Sequence, residues 1–408
     1  MQYIKRDMEE IFLQTSQQFK VVLITGPRQV GKSTMLQKLM AGTDRKYVTL
    51  DNMADRNLAI TDPKTFIEIH SPPVFIDEVQ YAPNLFSYIK MQVDTRQNNG
   101  DYWLSGSQIF KLMRGVSESL AGRVGLLDLF PLSQNEIYNH KTCTPLSLDM
   151  VSLKARAAHI PTATPVDIFT RIINGGMPQL AAEGTGGRER FYESYIRTYI
   201  ERDVRDLSGD IDVMKFYRFM IAVTARVGQL VNYKSIADDA DIDQVTAKNW
   251  LNILETLGII FYLHPFSNNL LKRTIKAPKL YFYDSGLAAH LAGWNNVTAL
   301  MNGAQSGALL ENFVISEVAK GYCNTGKMPR LHYYRDKDNK EIDLLWENNQ
   351  TLYPIEIKKT SSPDSRLTKV FSLLEKSGKT LGKGGIVCMY DQFLPLDKDN
   401  FIIPVACI

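Results

Sequence analysis

Between residues 20 and 41 the chain presents an apolar run, a glycine-bounded loop and a helical pattern in unbroken succession. Val21-Val22-Leu23-Ile24 is mostly β-branched and without polar residues, the composition of a strand buried in a parallel sheet. Gly26-Pro27-Arg28-Gln29-Val30-Gly31-Lys32-Ser33 then spells G-x-x-x-x-G-K-[ST], and Thr34 to Met40 continues with neither Gly nor Pro. Strand, glycine loop and helix in that order are the context that gives this motif its meaning. The glycines permit a tight turn whose backbone N–H groups surround phosphate oxygens, and the new helix adds the positive end of its dipole. Residues Gly26 to Thr34 are therefore the expected nucleotide cradle. Lys32 would reach the β- and γ-phosphates of ATP, and Ser33 would ligate Mg²⁺.

A second segment answers the first. Pro73-Val74-Phe75-Ile76 is an apolar run that ends in Asp77-Glu78. An NTPase of this kind needs an acid at the end of a neighbouring strand to hold Mg²⁺ through water, which suits Asp77, while Glu78 would polarise the attacking water. Strand candidates recur at 21–25, 46–50, 73–77, 101–105 and 124–130, with helical patterns at 33–41, 55–69, 84–98 and 108–120, after an amphipathic helix over 1–19. This alternation implies a parallel sheet with helices on both faces, the loop lying at the carboxyl end of the first strand. The fourth strand runs into Ser105-Gly106-Ser107-Gln108. Ser107, then Gln108, fits a polar sensor of the γ-phosphate, and a helix N-cap explains the serine equally well. In Leu120-Ala121-Gly122-Arg123 the arginine suits either a transition-state contact, in cis or toward a neighbouring subunit, or a plain surface role.

Composition limits the alternatives. The chain has 408 residues, enough for two or three domains, and its formal net charge of +3 does not by itself announce nucleic acid. None of the 4 cysteines forms a C-x-x-C pair, so neither a zinc site nor a disulfide framework is indicated. No run approaches a membrane span, and Asp7, Glu9 and Glu10 exclude a signal-peptide reading of the start, so a reducing cytoplasm is the simplest location.

Residues 133–165, punctuated by Pro145, Pro161 and Pro165, read as a connector. Phe191 to Val204 reads as a core helix with a salt-bridged outer face, Arg202 and Arg205 being its candidates for nucleotide contact. Tyr233–Ala240 and Gln244–Leu257 are two helices separated by a turn, followed by strands at 259–263 and 279–283. The loop between those strands holds Lys272, Arg273 and Lys276, with Lys279 beyond it. That outline is a winged helix, either contacting DNA or serving as a packing lid.

The tail carries an independent constellation. Asp343 opens one alternating strand and Glu356-Ile357-Lys358 lies on the next, so Glu356 and Lys358 share a face. Asp343 and Glu356 would gather around one Mg²⁺ or Mn²⁺, Lys358 would stabilise charge on an attacked phosphate, and Glu311, on a helix over 309–320, would supply a third carboxylate.

With these segments in view, the chain resembles the bacterial and archaeal AAA+-type ATPases in which a Gly-Pro-Arg-Gln-Val-Gly-Lys-Ser loop precedes a C-terminal domain similar to PD-(D/E)xK nucleases. The matching stretches are Gly26–Thr34, Phe75–Gln80, Leu104–Gln108, Leu120–Arg123, Gly175–Pro178, Tyr199–Val204, Tyr281–Leu287, Glu341–Leu344 and Ile355–Lys358. The Pro-Asp pair of the nuclease pattern is missing, since Glu341-Ile342 precedes Asp343. The resemblance implies ATP binding and hydrolysis. The expected architecture is an α/β P-loop ATPase domain over 1–140, a helical connector over 141–210, a winged helix over 211–295 and a small α/β nuclease-like domain over 296–408. The expected role is ATP-gated DNA binding or processing. The alternative is a nucleotide-dependent switch or scaffold for a protein partner, with an inactive tail.

Overall fold

A computed structural model describes residues 3–96, 98–107, 119–140, 145–209, 211–267 and 277–408. Gln108, most of the helical pattern 108–120, and Lys272, Arg273 and Lys276 lie outside the described residues, as does the side chain of Arg202.

The first body is built on five parallel strands, β1 (Val21–Thr25), β2 (Lys46–Thr49), β3 (Val74–Asp77), β4 (Tyr102–Ser105) and β5 (Val124–Asp128), in the order β2-β3-β4-β1-β5. β1 is flanked on both edges, Val21 pairing with Tyr102 on one side and Val124 on the other. Its side chains alternate between two cores. Val21 and Leu23 join Phe66, Ile76, Phe86 and Leu104, whereas Val22 and Ile24 join Phe12, Met35, Phe75 and Trp103. Burial on both faces explains why this strand shows no polar alternation. The carboxyl ends of β1, β3 and β4 thus come together beside the helix Lys32–Met40.

The second body departs from the expected division. The helices Tyr233–Ala240 and Gln244–Thr256 lead into an antiparallel pair, β6 (Ile260–Pro265) and β7 (Lys279–Phe282). But β6 also pairs in parallel with β8 (Leu331–Arg335), His264 opposite His332. The hairpin therefore continues into the tail's sheet: β8, β9 (Glu341–Asn348), β10 (Thr351–Lys358), β12 (Gly384–Cys388), β14 (Asn400–Pro404) and β13 (Leu394–Pro395), with the short β11 (Thr380–Leu381) beside β10. A single apolar cluster runs from Leu146 through Phe169, Phe219, Leu254 and Phe313 to Ile408. The boundaries expected at 210 and 295 do not divide this core. The connector expected over 133–165 contains the helix Met150–His159, capped by Asp149. It buries only Leu153 and Arg156, too short a stripe to show as a period in the sequence. No helix among the described residues is long and apolar enough to cross a membrane.

β7 ends the strand order, and its outer side is closed by the backbone of residues 228–231, Gly228 N donating to Leu280 O at 2.9 Å, and by the long helix Ser306–Cys323. The buried Asn312 amide accepts from Phe282 N at 2.7 Å and donates to Phe282 O at 3.2 Å. An edge strand satisfied in this way cannot recruit a foreign strand. Asn312→Ala leaves both backbone groups buried without that partner and should lower unfolding stability by roughly 2–4 kcal/mol, read from denaturant unfolding.

Candidate functional site: the loop between β1 and the helix Lys32–Met40

Gly26 is fixed by proximity. Its φ is +135°, and an added Cβ would stand 2.0 Å from the carbonyl oxygen of Leu129, just beyond β5. Gly31, at φ +92°, is the N-cap of the helix Lys32–Met40, so the loop delivers its last residues to a helix N-terminus. The Val30 carbonyl is held at 2.6 Å by Arg6, and Tyr195 Oη lies 3.3 Å from the Arg28 carbonyl. Gln29 has φ +60°, and Thr34 faces solvent from the helix.

Lys32 is buried, and its Nζ donates to the carbonyls of Gly26 at 2.9 Å and Pro27 at 2.6 Å. Burial pulls its ammonium down to about 8, against the opposing pull of Glu78 and Asp77. A phosphate would offer this ammonium charged acceptors in place of two neutral carbonyls. Ser33 Oγ donates to Asp77 Oδ1 at 2.8 Å, and Tyr47 Oη to Oδ2 at 3.3 Å. A hydroxyl in contact with a buried carboxylate is the hard-oxygen pair that suits Mg²⁺.

The two serines at the end of β4 have different partners. Ser105 donates to Asp77 Oδ1. Ser107 is buried 3.5 Å from Gln80 Nε2, and Gln80 in turn bonds the Glu78 carboxylate. Gln80 was missed by sequence reasoning; its signal is its position two residues past the acid. Glu78 itself sits at φ +56°, a left-handed conformation that a non-glycine residue adopts only where its surroundings enforce it.

Of the roles left open for Arg123, its position suits the plain surface one rather than a contact in cis. It immediately precedes β5, whose chain direction carries it away from the loop, and it is ion-paired with Asp94 at the amino end of the sheet. A parallel strand of five residues separates it from the loop's end by about 16 Å. By contrast Arg28, inside the loop, forms a two-pronged ion pair with Asp203 of the helix Glu201–Ser208, at 2.7 and 2.8 Å.

The tail residues converge in part. Ile355 lies opposite Leu344 in the antiparallel β9–β10 pair, which brings Glu356 beside Asp343. Lys358 Nζ reaches Asp343 Oδ2 at 2.8 Å and Glu356 Oε2 at 2.7 Å, while the buried Glu356 Oε1 has no hydrogen-bond partner among the described residues. Glu311 does not join as a third ligand. Its Oε1 is taken by Tyr281 Oη at 2.6 Å and by Lys279 Nζ at 3.1 Å, and Lys279 also pairs with Glu341 at 2.5 Å. Among the described residues no group of three or more His, Cys, Asp or Glu is placed to hold a metal ion.

Burial, and then the neighbouring Asp343, raise the Glu356 carboxyl from 4.5 to about 8, with Lys358 opposing. The folded protein therefore keeps a proton that the unfolded chain releases. The stability this contributes is complete below pH 4.5 and is lost as pH rises through about 8. Glu356→Gln, neutral throughout, should flatten the decline in urea midpoint between about pH 5 and about pH 8. An unchanged slope would show that Glu356 does not hold the proton.

Comparison with known proteins agrees with this geometry in the first body. Residues 18–138 match the model of an AAA domain. Residues 166–298 and 306–408 match two domains of unknown function, DUF8612 and DUF4143. The uncharacterized protein Rv2008c of Mycobacterium tuberculosis is 28% identical over 385 residues, covering 94% of this chain and 80% of the relative. The uncharacterized protein MJ1637 of Methanocaldococcus jannaschii is 22% identical over 342 residues, covering 76% and 68%. Among solved structures, the Walker-type ATPase PABY2304 of Pyrococcus abyssi aligns with a TM-score of 0.45 at 15% identity, covering 71% of this chain and 96% of that one. The five-stranded body, with its loop and its strand-end acid, is thus similar to an AAA-type P-loop domain over residues 18–138.

Proposed function

We propose that this chain is a Mg²⁺-dependent ATPase whose nucleotide state sets the arrangement of the second body. The observation that carries this reading is the contact of Ser33 Oγ with Asp77 beside the buried ammonium of Lys32. Ser33, with Asp77 through water, would hold the Mg²⁺, which supplies charge neutralisation to the phosphates when bound. The loop N–H groups orient the β- and γ-phosphates, and Lys32 exchanges its two carbonyl partners for phosphate oxygens. Glu78, held by Gln80, accepts the proton of the attacking water, and Ser105 fixes the orientation of Asp77. Lys32→Ala should lower turnover by on the order of 10²–10³-fold, because it removes a preorganised charge from the phosphates. Glu78→Gln should retain nucleotide binding and slow hydrolysis by about 10²-fold. Phosphate release and equilibrium binding measured on the same folded variants check both. Wild-type values in Lys32→Ala would end the ATPase reading.

A second reading, metal-dependent DNA processing by the tail, is favoured by the meeting of Asp343, Glu356 and Lys358. The exposed face of the helix Gln244–Thr256, with Gln244, Lys248, Asn249 and Asn252, adds groups able to contact bases. Asp241 and Asp243, exposed at that helix's N-terminus, oppose a phosphate backbone, which is why the switch is preferred. If the second reading holds, supercoiled DNA with Mg²⁺ or Mn²⁺ is nicked by the wild type and not by Lys358→Ala. Intact DNA with both proteins and both metals would remove it.

A further inference from the structure

The P-loop contains a guanidinium that is already committed to a partner. Arg28 Nε and Nη2 bind the two oxygens of Asp203 at 2.7 and 2.8 Å, a parallel fork, with side-chain exposures of only 12% and 4%. The pair spans 175 positions of sequence and joins the nucleotide loop of the first body to a helix of the second. That helix, Glu201–Ser208, is entered through a π-helical segment, Ile196–Ile200, a rare wide turn that occurs most often at functional sites. Tyr195, just before it, reaches the Arg28 carbonyl.

The pair stands beside the phosphate seat. The carbonyl of Pro27, the preceding residue, holds Lys32 Nζ, and the charges of Arg28 and Asp203 both act on that ammonium. Glu78 in turn acts on Arg28. Lys32 and Arg28 are thus set among Asp77, Glu78 and Asp203, and an arriving triphosphate adds further negative charge. A γ-phosphate is a dianion with three acceptor oxygens, and a guanidinium fork fits it as well as it fits a carboxylate.

Resting on the ATPase reading above, we propose that Arg28 and Asp203 form a γ-phosphate-sensing latch. Asp203 holds Arg28 off the seat in the nucleotide-free state, and the γ-phosphate of ATP takes Arg28 from it. ADP lacks that phosphate and leaves the pair closed. Asp203, buried and separated from Arg28, is then driven toward water or another donor, and the helix Glu201–Ser208 moves with it. Arg28 is in this account the cis cation for which Arg123 is wrongly placed, and Asp203 is the positioning residue that relays occupancy to the second body.

The test is the binding of ATPγS and ADP, each measured for the wild type, Asp203→Asn, Arg28→Ala and the double variant, with circular dichroism to establish folding. Asp203→Asn keeps the shape and removes the competing charge, so it should bind ATPγS about tenfold tighter, with ADP changed by less than about twofold. Arg28→Ala should lose the preference for ATPγS over ADP. The double variant should also bind the two nucleotides alike, yet be more stable than Arg28→Ala, because no carboxylate is left without its guanidinium. Equal shifts for ATPγS and ADP in Asp203→Asn, or weaker ATPγS binding, would overturn the latch while leaving the ATP site in place. Failure of the wild type to bind either nucleotide would overturn the ATPase reading and the latch with it.

Discussion

The geometry of the nucleotide loop depends on one buried guanidinium. Arg6, 3% exposed, donates to the carbonyls of Val30 at 2.6 Å and Phe130 at 2.7 Å and to Glu136 at 2.8 Å. These partners lie in the loop, beyond β5, and in the short helix Gln134–Ile137. A cation enclosed this deeply is tolerated because its donors meet acceptors with good geometry, and its loss would strand both carbonyls and a carboxylate. Glu136 is also the reciprocal member of a capping box with Ser133, so the same acid starts a helix and anchors the arginine.

That helix touches the second body at once. The Gln134 N–H donates to Glu317 at 2.8 Å, and Lys320 donates to the Leu132 carbonyl at 3.0 Å, both from the helix Ser306–Cys323. One turn of chain away, Leu132 N donates to Gly176 O at 2.7 Å, and Gly176 N to Asp284 at 2.7 Å. Gly176 has no room for a side chain, since a Cβ would stand 2.3 Å from Leu132 O. Asp284 also receives Tyr192 Oη and caps the helix Ser285–Leu291. The long helix that carries Glu317 also carries Asn312 against β7 and Glu311 beside Lys279. The loop and the tail's charged cluster are therefore joined by packed, hydrogen-bonded elements rather than by a linker.

The parts legible in the sequence were those with local signatures. β1 announced itself by four consecutive apolar residues because both of its faces are buried, and the loop by glycines whose φ values and close approaches admit little else. Asp343 and Glu356 could be paired because a hairpin and a period of two bring them together. What escaped were contacts between distant positions, which leave no periodic mark. Asp203 reads as one charge on a helix face, and only the fold shows it gripping Arg28. Ser105 and Ser107 are indistinguishable in sequence, yet the strand's end aims one at Asp77 and buries the other near Gln80. Lys279 reads as part of a basic wing, but it is buried between Glu311 and Glu341 and ion-paired with both. The continuation of β6 into the tail's sheet was invisible because its pairing with β8 depends on chain direction rather than composition.

The proposed switch requires nucleotide in the loop to be felt across the interface between the two bodies. Amide hydrogen exchange with and without Mg²⁺ and ATPγS reads this directly, since it reports local opening residue by residue. A nucleotide-driven switch changes exchange in residues 26–34 and also in the helices Glu201–Ser208 and Ser306–Cys323. Changes confined to 26–34 and the strand-end residues 77–80 would contradict it.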